Sequence, residues 1–229
     1  MTRRKSSALV LFDIDGTLLR RAGPHHREAL VDAVRAVTGL ETTTDHIPVH
    51  GMLDPDILMR MMTDVGETAA FARRHLPAIM ERAQSLYVRR CPDLRRKTCP
   101  GVRRILYALK RRGVPVGLVT GNLTRIGWKK MERAGLRRYF RFGAFAETAP
   151  DRAALARNAI EYARGREWID QDARVSLIGD APSDILAARA NGAQSIAVHT
   201  GISAREELAT LEPDVLLEDL RGLSVGMLV

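Results

Sequence analysis

The sequence predicts an α/β fold, a parallel sheet covered by helices, with an all-helical segment inserted after the first strand. Three observations lead there. Short apolar runs recur along the second half of the chain and alternate with helical stretches, the pattern of a parallel sheet covered on both faces. The interval from about His26 to Arg90 carries helical spacing and no convincing strand. Acidic or hydroxyl residues follow the apolar runs directly, as they do where strands deliver side chains to the rim of a sheet.

The chain has 229 residues, enough for one large domain or a domain with an inserted subdomain. Apolar residues make up 45%, which argues against disorder. No apolar stretch reaches the ~18 residues of a membrane span. The basic start, Met1-Thr2-Arg3-Arg4-Lys5, followed by a short apolar run, imitates a secretory signal, but Asp13 and Asp15 interrupt the run and no small-residue cleavage site follows. A cytoplasmic protein is expected.

The first element is a buried strand, Ala8-Leu9-Val10-Leu11-Phe12, running into Asp13-Ile14-Asp15-Gly16-Thr17-Leu18. In the helical block, Arg27 to Val34 has apolar residues at helical spacing, and Gly39, Gly51 and Gly66 punctuate it. Asp54-Pro55 reads as an N-cap followed by proline at the first helical position. Met59, Met61, Met62 and Met80 sit at helical spacing and read as core. From Pro100-Gly101 the α/β rhythm resumes: helix Val102 to Arg112, a strand within Val114 to Val119, helix Thr124 to Ala134, and an apolar segment near Phe142 to Phe145. Then come helix Asp151 to Ala163, strand Val175 to Ile178, helix Ser183 to Ala190, strand Ser195 to Val198, helix Ala204 to Leu211 and a strand near Asp214 to Leu217.

Cys91 and Cys99 are the only cysteines and read as free thiols. Without histidines at ligand spacing they make no zinc site. The net charge is +9, from 36 Lys and Arg against 27 Asp and Glu. A positive field draws in anions, phosphate esters included. The basic clusters, such as Arg95-Arg96-Lys97, Lys110-Arg111-Arg112 and Arg137-Arg138, scatter over many elements with little aromatic interleaving. They read as solvated faces, and a nucleic-acid partner is not expected.

Asp13 and Asp15 are the most informative residues. On a strand, residues i and i+2 point the same way, so both carboxylates are expected to face one point. Two acids that close raise each other's pKa unless a cation or a proton separates them. Thr120-Gly121-Asn122 follow the second strand and offer a hydroxyl and backbone N–H donors for phosphoryl oxygens, although the same residues are common in plain turns. In Gly179-Asp180-Ala181-Pro182-Ser183-Asp184, two acids stand four apart across a strand-to-helix turn. Asp180 suits direct ligation of a hard cation, and Asp184 direct or water-mediated ligation or, alternatively, a favourable charge in a helix's first turn.

The ordered set Asp13-x-Asp15-Gly16-Thr17-Leu18, then Thr120, then Gly179-Asp180-x-x-x-Asp184, resembles the haloacid dehalogenase superfamily of phosphohydrolases, over nearly the whole chain and nearest in layout to its phosphoglycolate phosphatase-like branch. The resemblance implies a Rossmann-like core at 1–20 and 91–229 with a small helical cap at 21–90, and hydrolysis of a small phosphorylated metabolite. It implies Asp13 as the nucleophile forming an aspartyl-phosphate and Asp15 as general acid and then base. Thr120, with Gly121 and Asn122, would hold the transferring group. Mg²⁺ would be ligated by Asp13, the Asp15 backbone carbonyl and Asp180, with Asp184 supporting. Asp15 must be protonated for part of the cycle, which the crowding of acids is expected to favour.

One position departs from the family. Its lysine between the second and fourth motifs is missing, since no lysine follows Lys130. Lys129 and Lys130 stand too early for that role. Arg152 has the usual context at a helix start and can supply the charge, with Arg141 in reserve. Arg152→Ala is expected to lose turnover while keeping its fold. Arg21, His25, His26 and the Gly51-Met52-Leu53-Asp54 turn are candidates to face substrate, with solvated histidines and a capping Asp54 as the alternatives. Dehalogenase chemistry needs neither Asp15 nor the fourth-motif acids, and phosphonate cleavage needs a cap lysine, absent between Arg20 and Arg90. A sugar-phosphate mutase keeps the same motifs and stays open, as does a non-catalytic basic binding module.

Overall fold

The computed structural model describes residues 5–20 and 23–229. Six strands form one sheet: β1 (Ser6–Phe12), β2 (Val116–Val119), β3 (Phe142–Ala144), β4 (Ile169–Gly179), β5 (Gln194–Val198) and β6 (Val215–Leu217). Their order is β3-β2-β1-β4-β5-β6 and every pairing is parallel. The chain works outward from β1 to one side through β2 and β3, then returns to the other side at β4. The crevice above the β1 and β4 carboxyl ends is therefore the topological switch point, where ligands of open α/β sheets bind.

Between the core strands run α4 (Val102–Arg111), α5 (Thr124–Arg133), α6 (Arg152–Gly165), α7 (Pro182–Ala190) and α8 (Arg205–Thr210). Alternation along β1 sets the two layers. Ala8, Val10 and Phe12 join the cluster built with Ile105 and Leu109 of α4 and Ile126 of α5. Leu9 and Leu11 face the other way, onto Leu155 and Ala159 of α6 and Ala188 of α7. With both faces covered, β1 reads as a continuous apolar run rather than an alternating one.

Among the described residues, three α-helices separate β1 from α4: α1 (His25–Thr38), α2 (Asp54–Asp64) and α3 (Ala69–Arg90). Both shorter helices pack on α3. Their apolar faces, including Leu30, Val34, Leu58, Met62, Ile79 and Leu86, belong to the same buried cluster as one face of the sheet. Met61 and Met62 are fully buried, and Met59 and Met80 pack against this cluster, as expected. Cys91 and Cys99 are buried and free.

Three expectations need correction. The helical block is interrupted, because residues 39–53 are not helical. Asp54 is not an N-cap: Leu53 holds that position with extended backbone, and Asp54 is the first helical residue. Strand β4 begins at Ile169, well before the expected Val175. Its first half is polar and largely exposed, so only the last apolar residues carried a strand signal. Arg21, a cap candidate, lies outside the described residues, as do the first four residues of the basic tip. No helix among the described residues is long and apolar enough to cross a membrane.

Candidate active site

The sheet brings the chemistry-bearing residues to one edge. Phe12 pairs with Leu118 of β2 and Ile178 of β4, so Asp13 emerges one residue past that level and Thr120 and Asp180 two, on neighbouring strands at the same edge. A cavity of about 850 Å³ opens above them, floored by Asp13, Asp15, Asn122, Arg152 and Asp180 and walled by residues of α1, α2 and the 39–53 segment.

Asp13, Asp180 and Asp184 are all buried, and one carboxylate oxygen from each lies within 4.8 Å of the others. Arg152, itself buried, sits among them. Its Nη2 donates to Asp13 Oδ1 at 3.0 Å, and its Nε lies 3.0 Å from Asp184 Oδ1. Burial and the neighbouring Asp184 and Asp15 charges push the Asp13 carboxyl up to about 7, against the opposing pull of Arg152. Burial, then Asp13 and Asp184, raise Asp180 well above the usual carboxylate range, although Thr17 Oγ1 donates to its Oδ1 at 2.9 Å.

This donor set fits a divalent cation. Asp180 Oδ2 is buried with no hydrogen-bond partner among the described residues. Its seat is made by missing side chains: a Cβ on Gly16 would lie 2.0 Å from that oxygen, and one on Gly201 1.7 Å. Gly16 also has φ +91°, which disfavours any other residue. Three buried carboxylates against one guanidinium leave uncompensated negative charge, the condition a hard, oxygen-seeking cation relieves.

Asp15 does not join this cluster. The strand ends at Phe12, so the two-residue period stops before reaching it. Half-buried, it turns instead toward α5. Its Oδ2 accepts from Asn122 Nδ2 at 2.8 Å and from Lys130 Nζ at 2.5 Å. Burial alone would raise its pKa, but the Lys130 ammonium and these hydrogen bonds outweigh burial and hold the carboxyl below its usual range. The crowding expected to raise Asp15 acts on Asp13 and Asp180 instead.

Thr120 is fully buried, and its hydroxyl accepts from the Asn122 side-chain amide at 2.8 Å. Gly121 and Asn122 line the cavity. The backbone at Gly121 to Leu123 is tied to α2, because Asp54 N donates to Gly121 O and Asp54 Oδ2 accepts from Leu123 N, both at 2.8 Å. His26 Nε2 lies 3.0 Å from the same Asp54 oxygen. His25 is half-buried, 3.5 Å from Glu28. Arg141 is exposed and stacks over Trp168, while Arg152 alone of the two candidates reaches Asp13.

Lys130 was missed. It is 1% exposed, on the α5 face that also buries Ile126 and Met131. A lysine at an apolar helical position was the available signal. A second omission is His50, which lines the cavity with Nε2 at 3.0 Å from Ser203 Oγ and 3.6 Å from Asp180 Oδ2. The other basic clusters are exposed, as expected of solvated faces.

Comparison with known proteins agrees with this geometry. A family model described as haloacid dehalogenase-like hydrolase matches residues 8–192. A phosphoglycolate phosphatase of Agrobacterium fabrum is 30% identical, over 99% of this chain and 95% of its own length. One of Pseudomonas syringae pv. tomato is 26% identical over 98% and 81%. Among solved structures, CbbY from Rhodobacter sphaeroides in complex with phosphate is similar at a TM-score of 0.70, with 21% identity and coverage of 95% and 96%. A β-phosphoglucomutase from Clostridium difficile is similar at a TM-score of 0.69, with 18% identity and coverage of 97% and 95%. At these identities, the structural likenesses speak for the fold.

Proposed function

The chain belongs to the haloacid dehalogenase-like hydrolase family and is a phosphoric monoester hydrolase of that type, and we propose that it cleaves a small phosphate monoester through an aspartyl-phosphate on Asp13, with Mg²⁺ as its cation. The observation that carries this reading is the buried Asp13–Asp180–Asp184 cluster with Arg152 bridging Asp13 and Asp184, of which Asp13, Asp180 and Arg152 line the cavity.

Asp13 attacks phosphorus, and the bond to the alcohol oxygen breaks. Asp15, when protonated, gives its proton to that oxygen, so a neutral alcohol leaves. Asp15, now a carboxylate, takes a proton from water, and the resulting hydroxide attacks phosphorus, releases inorganic phosphate and restores Asp13. When bound, Mg²⁺ supplies the positive charge that lets an anionic ester approach an anionic nucleophile. Asp13, Asp180 and Asp184 would hold it, with the Asp15 backbone carbonyl. Arg152 adds a fixed cation where the phosphoryl oxygens gather, the place given to lysine elsewhere in the family. Thr120, Gly121 and Asn122 supply the remaining donors.

Residues 21–90 act as a cap, walling the cavity, keeping water from the reacting atoms and choosing the alcohol. The relatives named phosphoglycolate phosphatase make that ester the first substrate to try. The test is release of inorganic phosphate from phosphoglycolate, sugar phosphates and nucleotides, with and without Mg²⁺. Mg²⁺-dependent release, abolished by Asp13→Asn, supports the reading. Isomerised sugar phosphate without net phosphate release would favour the mutase, and no turnover across the panel would sink both.

A further inference from the structure

The group around Lys130 is not explained by the acid cluster or by packing. Lys130 is a buried lysine on a helix that otherwise buries apolar residues. An ammonium has three N–H donors and no acceptor. Here each finds an acceptor: Asp15 Oδ2 at 2.5 Å, Asn122 Oδ1 at 2.5 Å and His26 Nδ1 at 3.1 Å. The Tyr87 ring lies beneath, 5.9 Å from Nζ to its centroid. With Lys130 donating to Nδ1, the His26 proton resides on Nε2 and is donated to Asp54. Asn122 closes the arrangement by donating its Nδ2 to Asp15 and to Thr120. Asp15 is thus gripped through Oδ2 by two donors from two directions, and no described residue bonds Oδ1, the oxygen left for the cavity.

A buried cation is costly unless its surroundings repay the lost hydration. A leucine or methionine would fill the same space without that cost. The cation is spent on one half-buried carboxylate, the one assigned the proton transfers. We propose that Lys130, together with Asn122, is a positioning residue that fixes the carboxylate of Asp15 so that Oδ1 faces the leaving alcohol and then the attacking water. This rests on the roles given to Asp13 and Asp15 above.

The test uses two aryl esters that differ in their need for an acid. Phenyl phosphate releases a poor leaving group that must be protonated, whereas the dinitrophenolate of 2,4-dinitrophenyl phosphate departs as the free anion. Lys130→Met keeps an unbranched side chain of similar length, and Asp15 stays partly solvated, so the fold is expected to survive, checked by circular dichroism and thermal unfolding. General acid catalysis is worth about 10²–10⁴-fold, so kcat/KM of Lys130→Met for phenyl phosphate should fall about 10²-fold and that for the dinitrophenyl ester by no more than about threefold. In an Asp15→Asn background, Lys130→Met should cost little further, because it acts through that carboxylate. Equal losses on both esters, near-normal rates on both, or full additivity with Asp15→Asn would overturn the role of Lys130 while leaving the phosphatase reading standing. Absence of Mg²⁺-dependent hydrolysis of either ester by the unaltered chain would overturn both.

Discussion

Arg152→Met is the most informative single substitution at the acid cluster. It removes a buried guanidinium that lies 3.0 Å from Asp13 and 3.0 Å from Asp184. At that distance and an effective dielectric constant of about 20, each contact carries an attraction of about 5 kcal/mol before desolvation is counted. Desolvation offsets much of it, but breaking a buried pair from one side typically costs about 3–5 kcal/mol, because the abandoned charge stays buried. Against a whole-domain stability of about 5–15 kcal/mol, the metal-free variant should unfold at a markedly lower temperature. The expectation from sequence alone, loss of turnover with the fold unaffected, treated Arg152 as a side chain free of its surroundings. Saturating Mg²⁺ should recover part of the stability by supplying charge to the same carboxylates. Turnover should not recover: a donor aimed at the transferring group is worth about 10²–10³ in kcat. The assays are thermal unfolding with and without Mg²⁺, and phosphate release at saturating Mg²⁺. An unchanged unfolding midpoint with kcat within about fivefold of the unaltered chain would refute the reasoning about this cation.

Three further outcomes follow from the same geometry. Metal-free protein should lose stability as pH rises from the usual carboxylate range through about 7, because the raised Asp13 carboxyl favours the folded state only while protonated. Mg²⁺, which needs ionised ligands, should therefore raise the unfolding midpoint more at pH 8 than at pH 5, and a rise independent of pH would contradict this. Asp13→Asn should abolish phosphate release yet make the metal-free protein more heat-stable at pH 8, since it deletes a buried charge that Asp184 and Asp15 repel; a less stable variant would count against the electrostatic account. Asp54→Ala leaves Leu123 N and His26 without their acceptor, a cost of about 1–3 kcal/mol that differential scanning calorimetry can measure.

Much of this was legible in the sequence. The alternation of short apolar runs with helical spacing located nearly every element, and the acids after the runs located the sheet edge where the candidate site lies. The failures share a cause: a local rule extended past the point where the local structure ends. The i, i+2 argument placed Asp13 and Asp15 at one focus, but β1 stops at Phe12, and the backbone turn at Gly16 follows within four residues. Asp54 has the composition of a cap, yet Leu53 takes the extended backbone, and the acid is drawn away by Leu123 N. That partner is 69 residues distant, and no local pattern encodes it.

Lys130 shows what remained unread and why. Read linearly, it falls too early to stand in for the family's missing lysine. In space, the helix carrying it starts at the cavity rim, and helical side chains lean back toward the N-terminus, so Nζ reaches Asn122, eight residues earlier. The single-lysine frame then fails, because the site divides its positive charge between two residues. Arg152 serves the carboxylate that would attack phosphorus and become the acyl phosphate, and Lys130 serves the one that would exchange protons. This division gives the two acids opposite environments, one pushed up by burial among like charges and the other held down by an ammonium. The opposite shifts describe the protein without substrate or cation. Binding an anionic ester beside Asp15 adds negative charge and favours its protonated form, while a divalent cation favours ionised Asp13. Loading the site thus acts on the two acids in opposite senses, each toward the protonation state its first step requires.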